Sequence, residues 1–347
     1  MTAYIILAVF PVVLGLFFPN IKEKRQERIM YFVICGAIML LIMGCRHYTL
    51  GSVDTLHYYY RMEYAIECDN WNEFYDADLY EAGFQLFVFL LSRVFNHPQW
   101  LLVISSLFYI IAIFYFIDRN SEEISLSITL YISLGLMIFH LQGMRQALAI
   151  CICLFAYEQA KKNNFFKFSL AVFLAVLFHQ TAIVFIPIYW LAKLKLNTVN
   201  VFLVSSISIL AILFSTQLVD IANMIFSEEY SGTVDSGGLV AVLIYIIGLG
   251  VCCLYYSSHN NDKLSPLVFV MIIGGASYLI RYTGVLIAER ISFYFSFSQI
   301  ALIPCAKKLL EKKARFLIHI IIVGLAIGLF MYRLKDSGFL PYMFFWE

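Results

Sequence analysis

Apolar runs of about 17–25 residues recur along this chain, and a soluble core has no room for so many, so they are expected to cross a lipid bilayer. Of the 347 residues, 62% are hydrophobic and 14% are charged, against about a quarter charged in an ordinary soluble domain. The expected fold class is all-α: a polytopic integral membrane protein built as a single multi-helix domain over residues 1–347. A net charge of +1 gives no electrostatic case for nucleic acid. The first run, Ala3–Phe18, has no basic stretch before it and no small-residue cleavage site after it, and is expected to be a retained helix.

Lys and Arg beside the runs orient them, because basic flanks stay in the cytoplasm. Ile21–Arg28 carries four positive residues, and Lys307–Arg315 carries five. Both belong inside, which places both termini outside. Spans are expected at about 3–19, 29–45, 99–117, 124–140 and 144–160. Further spans follow at about 198–218, 239–257 and 264–280, in a run ending at Ala306, and at about 316–332. Phe84–Phe95 would be only about 18 Å long as a helix and reads as interfacial or re-entrant. Phe165–Leu196 is basic at both ends with His179 in its middle. It is either a hairpin bent near His179-Gln180-Thr181 or one tilted span. The total comes to about 10–12 spans with re-entrant pieces. Cytoplasmic loops are too short to hold a nucleotide-binding domain.

Arg46–Phe84 is the longest polar interruption and holds eight of the 23 acidic residues but only two basic ones. Tyrosines and a Trp are interspersed. By the basic-flank rule residues 46–83 form an outer loop, as do residues 220–238 with Glu228, Glu229 and Asp235. A membrane protein that keeps its polar residues on one side works on that side, so these loops read as walls of a site. Cys45 and Cys68 fall there and either pair or, more commonly, stay free thiols. Cys/His metal-ligand spacing is absent.

Four groups of polar residues converge on that face. Arg46, with Gly51, Asp54, Thr55 and Tyr58 after it, is either an interfacial anchor or a ligand-binding group. Tyr80-Glu81 stands just before the short helix, where an acid is favoured in any case. Arg145 lies in the first turn of the helix at 144–160, against the dipole of its own helix. That cost is offset if an anion sits between the guanidinium and the helix's free N–H groups. His140 and Gln146 are close by in sequence. His179 is either a packed core histidine or, at a helix break inside a membrane, a functional one. Arg281, Glu289 and Arg290 join from later helices, and Tyr342 follows Pro341 in the tail. Several arginines at one face imply a polyanion such as a diphosphate. Tyrosines beside carboxylates suit a sugar.

These pieces, in this order, resemble the EpsG family of membrane proteins, which looks related to Wzy-type O-antigen and capsular polysaccharide polymerases. They are Arg46, Gly51, Asp54-Thr55 and Tyr58; Tyr80-Glu81 with Gly83-Phe84; Arg145-Gln146 with Ala149; His179, Thr181-Ala182; and Arg290 with Pro341-Tyr342. One departure is Thr181, where a serine is commoner. The resemblance implies a GT-C-like glycosyltransferase of the bacterial inner membrane, acting at its periplasmic face without metal or cofactor. It would join oligosaccharide repeat units carried on undecaprenyl diphosphate, with a chain-length regulator and a flippase as partners. On that reading Arg46, Arg145, Arg281 and Arg290 hold the diphosphate. His179 is the general base, with Glu81 and Asp54 as competing bases or sugar-positioning groups. Tyr58, Tyr80, Gln146 and Tyr342 bind sugar. A ligase-like transferase, a membrane acyltransferase and a flippase are the alternatives. A flippase would call for inverted repeats, which are not visible in the sequence.

Overall fold

The computed structural model describes residues 1–77, 79–217, 265–280, 286–308, 310–335 and 337–347. The expected loop at 220–238, the expected span at 239–257 and Arg281 lie outside the described residues. Among the described residues every regular element is a helix. The chain runs α1 (Thr2–Phe17), α2 (Arg25–Gly44), α3 (Val53–Glu67), α4 (Trp71–Phe74), α5 (Ala82–Ser92) and α6 (Gln99–Asn120). It continues with α7 (Ile124–Ser133), α8 (Leu136–Gln142), α9 (Met144–Lys161), α10 (Phe165–Phe178), a 3₁₀ turn (Gln180–Phe185) and α11 (Ile188–Leu191). The remaining helices are α12 (Thr198–Leu213), α13 (Ser265–Ile280), α14 (Leu286–Lys307) and α15 (Lys312–Leu334).

Burial shows which helices form the centre. Fourteen of the 18 residues of α9 are buried, and nine of the ten in α7. Helix α9 packs against α6, α8 and α10. At the periphery the pattern reverses. Helix α12 buries only Val204 and Ser208 and turns Phe202, Ile207 and Leu213 outward, and α15 exposes Phe316 and Leu325. An apolar face of that size is stable only against lipid or another apolar surface.

Helices α2, α6 and α15 are long and apolar enough to cross a bilayer, and α7 with α8 makes a fourth span if their 53° bend is counted as one crossing. By that criterion the described residues fall short of the expected ten to twelve spans. Part of the reason is interruption, and part is charge, since the unbroken α9 carries Arg145, Glu158 and Lys161. Gly135, at φ +94°, breaks the run at 124–140, and a left-handed residue cannot continue a helix. Extended backbone at His179 (φ −160°, ψ 120°) breaks 165–196. Helices α1 and α12 have 16 residues each, about 24 Å of rise.

The segment after α10 folds back on itself. The Tyr189 hydroxyl donates to Asn163 Oδ1 at 3.0 Å, and its ring packs on Phe165 and Phe168. Of the two alternatives for 165–196, the hairpin is the one observed. Residues 46–83, expected as a loop, contain α3 and α4 instead. Thr55, Tyr58, Met62 and Ala65 form the buried stripe of α3, and Asp54 in its first turn complements the helix dipole. Cys45 and Cys68 are both free thiols.

One end of the bundle gathers the basic segments. Lys22 and Lys308 pair with Glu122 at 3.1 and 2.6 Å, and Arg28 pairs with Asp118 at 3.0 Å. His319 lies 3.0 Å from Glu123, which also pairs with Lys307. Helix α9 begins at the opposite end and finishes beside this one, where Lys161 donates to Asn120 at 2.7 Å. Its length sets the two ends about 27 Å apart.

The C-terminal tail docks on the α2–α3 link through His47 N–H to Met343 O (2.9 Å), Phe345 N–H to Cys45 O (3.0 Å) and Gly51 N–H to Gly338 O (3.0 Å). Gly338 sits at φ +74°, and a Cβ there would collide with the Gly51 carbonyl. Gly338→Ala is therefore expected to lower stability by about 1–3 kcal/mol. Gly324→Ala in α15, where a Cβ meets nothing within 4 Å, is the control, expected to leave stability unchanged or raise it by up to about 1 kcal/mol. Thermal unfolding of the purified protein in detergent reads the difference.

Candidate functional site

Three chain segments meet where α9 begins. Helix α5 starts at Ala82 and brings Glu81 with it; α10 ends at Phe178 and brings His179. Gly83 lets these two ends touch, because a Cβ on it would lie 2.6 Å from the Leu177 carbonyl oxygen. Gly143 closes α8 and opens α9, which sets Arg145 in the first turn.

The Glu81 carboxylate bridges the other two groups. Arg145 Nη1 donates to Glu81 Oε2 at 2.5 Å, and His179 Nδ1 lies 2.8 Å from Oε1. The Gln180 N–H donates to the same Oε1 at 3.2 Å. Arg145 Nε donates to the Tyr58 hydroxyl at 3.3 Å, and its guanidinium lies 4.8 Å over the Tyr80 ring. The side chains of Glu81 and His179 are only 8% and 3% exposed, so these contacts act with little solvent screening. Burial alone would raise the Glu81 pKa; the His179 hydrogen bond and the Arg145 charge outweigh it and hold the carboxyl at about 2. Burial pushes the Tyr58 phenol up to about 12 against the pull of Arg145, so its hydroxyl stays protonated.

An ionised carboxylate can only accept a hydrogen bond, so His179 carries its proton on Nδ1. In the neutral ring Nε2 is then the nitrogen with the lone pair, and it is buried with no hydrogen-bond partner among the described residues. The arrangement offers an oriented base beside a fixed cation. That pairing suits proton abstraction next to a developing negative charge.

The other sequence candidates divide by where their polar atoms go. Asp54 is exposed one turn before Tyr58 on α3, and its charge acts on both Tyr58 and Tyr80. Arg46 is buried and holds backbone rather than facing a cavity: Nη1 donates to Met43 O, and Nη2 to Leu141 O at 3.0 Å. Thr55 and Ser52 donate to Leu141 and Gln142 carbonyls at 3.1 and 3.4 Å. These contacts satisfy carbonyls that the end of α8 leaves open. Gln146 Nε2 donates to Arg290 O at 2.6 Å, which ties α9 to α14 and leaves Arg290 exposed beside the cluster. Tyr342, expected over the site, donates to Ile42 O at 3.1 Å and packs edge-on against Tyr4.

One residue that matters was missed in the sequence. Gln85 is fully buried; its Nε2 donates to Asp76 O and Tyr80 O at 2.6 Å each. Its Oε1 accepts from Arg61 at 2.8 Å and from Asp76 N–H at 3.0 Å. Gln85 thus fixes the loop that ends in Tyr80-Glu81. The available signal was a lone amide in an otherwise apolar short helix. Thr181 is buried with its hydroxyl 3.1 Å from that of Tyr294, which anchors the break after His179 to α14.

The model of the EpsG family matches this chain over residues 4–344. The chain belongs to the EpsG family. That family is associated with polysaccharide polymerase-like proteins, and so with polysaccharide biosynthesis at a membrane. Neither a curated protein nor a solved structure matches the chain. In this EpsG-family protein the match takes in all three segments that build the cluster.

The depressed Glu81 pKa makes a stability statement for this EpsG-family chain. A carboxyl lowered from 4.5 to about 2 contributes stability that is fully present above pH 4.5 and is lost as pH falls through about 2. Its size is about 3 kcal/mol. The unfolding temperature of Glu81→Gln is expected to lie below that of the wild type by a constant margin above pH 4.5. The margin should shrink steadily in acid titrations below that value; a gap that widens on acidification would contradict it.

Proposed function

We propose that this protein is a polysaccharide polymerase that joins lipid-linked oligosaccharide units by glycosyl transfer at the outer face of the bacterial inner membrane. The observation that carries the reading is the shared Glu81 carboxylate, with Arg145 on one oxygen and His179 on the other, its Nε2 unpartnered among the described residues. Family membership supports the polysaccharide class. The position of the cluster supports the face, because it lies at the opposite end of α9 from the basic segments that mark the cytoplasm.

The substrate is an oligosaccharide on undecaprenyl diphosphate. Arg145 binds the donor diphosphate, and Arg290 adds charge from α14. His179 Nε2 takes the proton of an acceptor sugar hydroxyl. That oxygen attacks the anomeric carbon of the donor, the bond from this carbon to the diphosphate oxygen breaks, and the diphosphate leaves with the electron pair. Arg145 stabilises the charge growing on it. The growing chain thus leaves its lipid and joins the new lipid-linked unit. Glu81 is a weak base at its depressed pKa, so its role is to hold the His179 tautomer and to anchor Arg145. Asp54, Tyr58 and Tyr80 line the approach for sugar hydroxyls and ring faces.

Complementation in a deletion strain at matched protein levels tests this. Wild type is expected to restore a ladder of surface polysaccharide. Arg145→Ala and His179→Ala are expected to leave single repeat units, since a positioned general base alone contributes about 10²–10⁴ in rate. Full-length polymer with altered substituents in the deletion strain would instead indicate an acyltransferase. Absence of any unit outside the membrane would indicate a transporter.

A further inference from the structure

A second feature opens beside the cluster. Helices α6 and α9 face each other across an apolar groove of about 370 Å³. One stripe runs from Phe108 through Ile111 and Ala112 to Tyr115, and the other from Leu148 through Cys151 and Ile152 to Phe155. Both stripes have the i, i+3, i+4, i+7 spacing of a single helix face. Phe108 and Phe155 are 50% and 45% exposed, so the groove opens sideways into the bilayer layer. Charged side chains are absent from its lining. Ala112 and Cys151, the two small residues, leave the space that larger neighbours would fill.

The upper end of the groove lies next to the site in the chain. Leu148 lies one turn after Arg145 on α9, and Phe178 directly precedes His179. Phe87 on α5 packs against both Phe108 and Phe178 there, at ring distances of 5.9 and 6.0 Å. At the lower end the Arg119 guanidinium lies 4.4 Å over the Tyr115 ring. From Arg145 to Phe155 is about 15 Å along the helix. An occupant that reaches Arg145 as well as the groove would be an amphiphile, with an anionic head at Arg145 and an apolar tail lying down the groove.

We propose that this groove holds the polyprenyl tail of the diphosphate-linked donor. The inference rests on the reading of Arg145 as the diphosphate-binding residue. Aromatic rings make up half of the ten lining residues. Their flat faces pack well on the alkene and methyl groups of an isoprenoid. The arginine also stands deeper than a bulk headgroup needs, 15% exposed and fixed by Glu81, Tyr58 and Tyr80. Such a placement suits a head that reacts. Holding the tail on α9 itself would register the diphosphate against the first turn of the same helix.

The test uses the full chain in lipid nanodiscs. Its probes are a polyprenyl diphosphate with a diazirine in the tail and inorganic diphosphate, which has no tail. Photo-adducts are expected on the peptides holding Phe108–Tyr115 and Leu148–Phe155. Ala112→Trp, which fills the groove, is expected to weaken polyprenyl diphosphate binding by about tenfold or more and leave inorganic diphosphate binding unchanged. Arg145→Ala should weaken both. Adducts elsewhere, or unchanged affinity in Ala112→Trp, overturn the groove while the diphosphate reading stands. Equal displacement of the adducts by phosphatidylglycerol also overturns it, as a general lipid seam. A wild type that binds neither probe overturns both readings. Adduct mapping on the wild type decides the matter even if Ala112→Trp does not fold.

Discussion

A buried carboxylate held between a guanidinium and an imidazole is the constraint around which this molecule is arranged. Removing a carboxylate from water costs several kcal/mol unless its oxygens are matched by donors. Glu81 is matched by Arg145, His179 and the Gln180 N–H. The donors come from the start of α9 and the break after α10, and Glu81 itself comes from the start of α5. Three irregularities of the fold serve this meeting: a helix of 11 residues, a glycine joint at Gly143, and a hairpin broken at His179. Had α5 or α10 run straight across a bilayer, their polar ends would have been carried apart.

The two ends of the bundle do different electrostatic work. At one, Lys22, Lys308 and Arg28 pair with Glu122 and Asp118 in exposed or half-exposed bridges. Contacts of that kind add little stability in water; their value is topological, because they mark one face. At the other end the Glu81 and Arg145 charges are largely buried and paired with each other, while acids around them such as Asp54 and Glu73 are exposed. A chemistry that develops negative charge on a leaving group belongs at the second end, where the dielectric is low and the cation is already fixed.

Much of the scaffold was legible in the sequence because hydropathy reports helix cores directly. Helix α9 at Met144–Lys161 and α13 at Ser265–Ile280 lie where the apolar runs predict. Helix α3 was not legible as a helix. Its tyrosines and acids lower the average, and the stripe of Thr55, Tyr58, Met62 and Ala65 shows only when helical spacing is imposed on a polar stretch. Breaks at Gly135 and His179 shorten spans that composition alone treats as continuous. Within the site, Glu81, Arg145 and His179 could be named from their residue types and their places at helix ends, and Tyr58 and Tyr80 from the polar stretch they stand in. Arg46, Gln146 and Tyr342 carry the same donor chemistry, yet the structure turns them to backbone carbonyls. Sequence tells that a donor exists; only packing tells whether it meets a ligand or a carbonyl left open by a helix end.

The most direct measurement is transfer by the purified chain alone. The protein in nanodiscs would be given one synthetic repeat unit on a polyprenyl diphosphate, with no other enzyme and no nucleotide sugar, and the products resolved by mass spectrometry. The account predicts saccharides of two and more units still attached to lipid diphosphate, with free polyprenyl diphosphate released in step with each new bond. Unchanged substrate in the presence of folded wild-type protein, or hydrolysis to free sugar without chain growth, would contradict it.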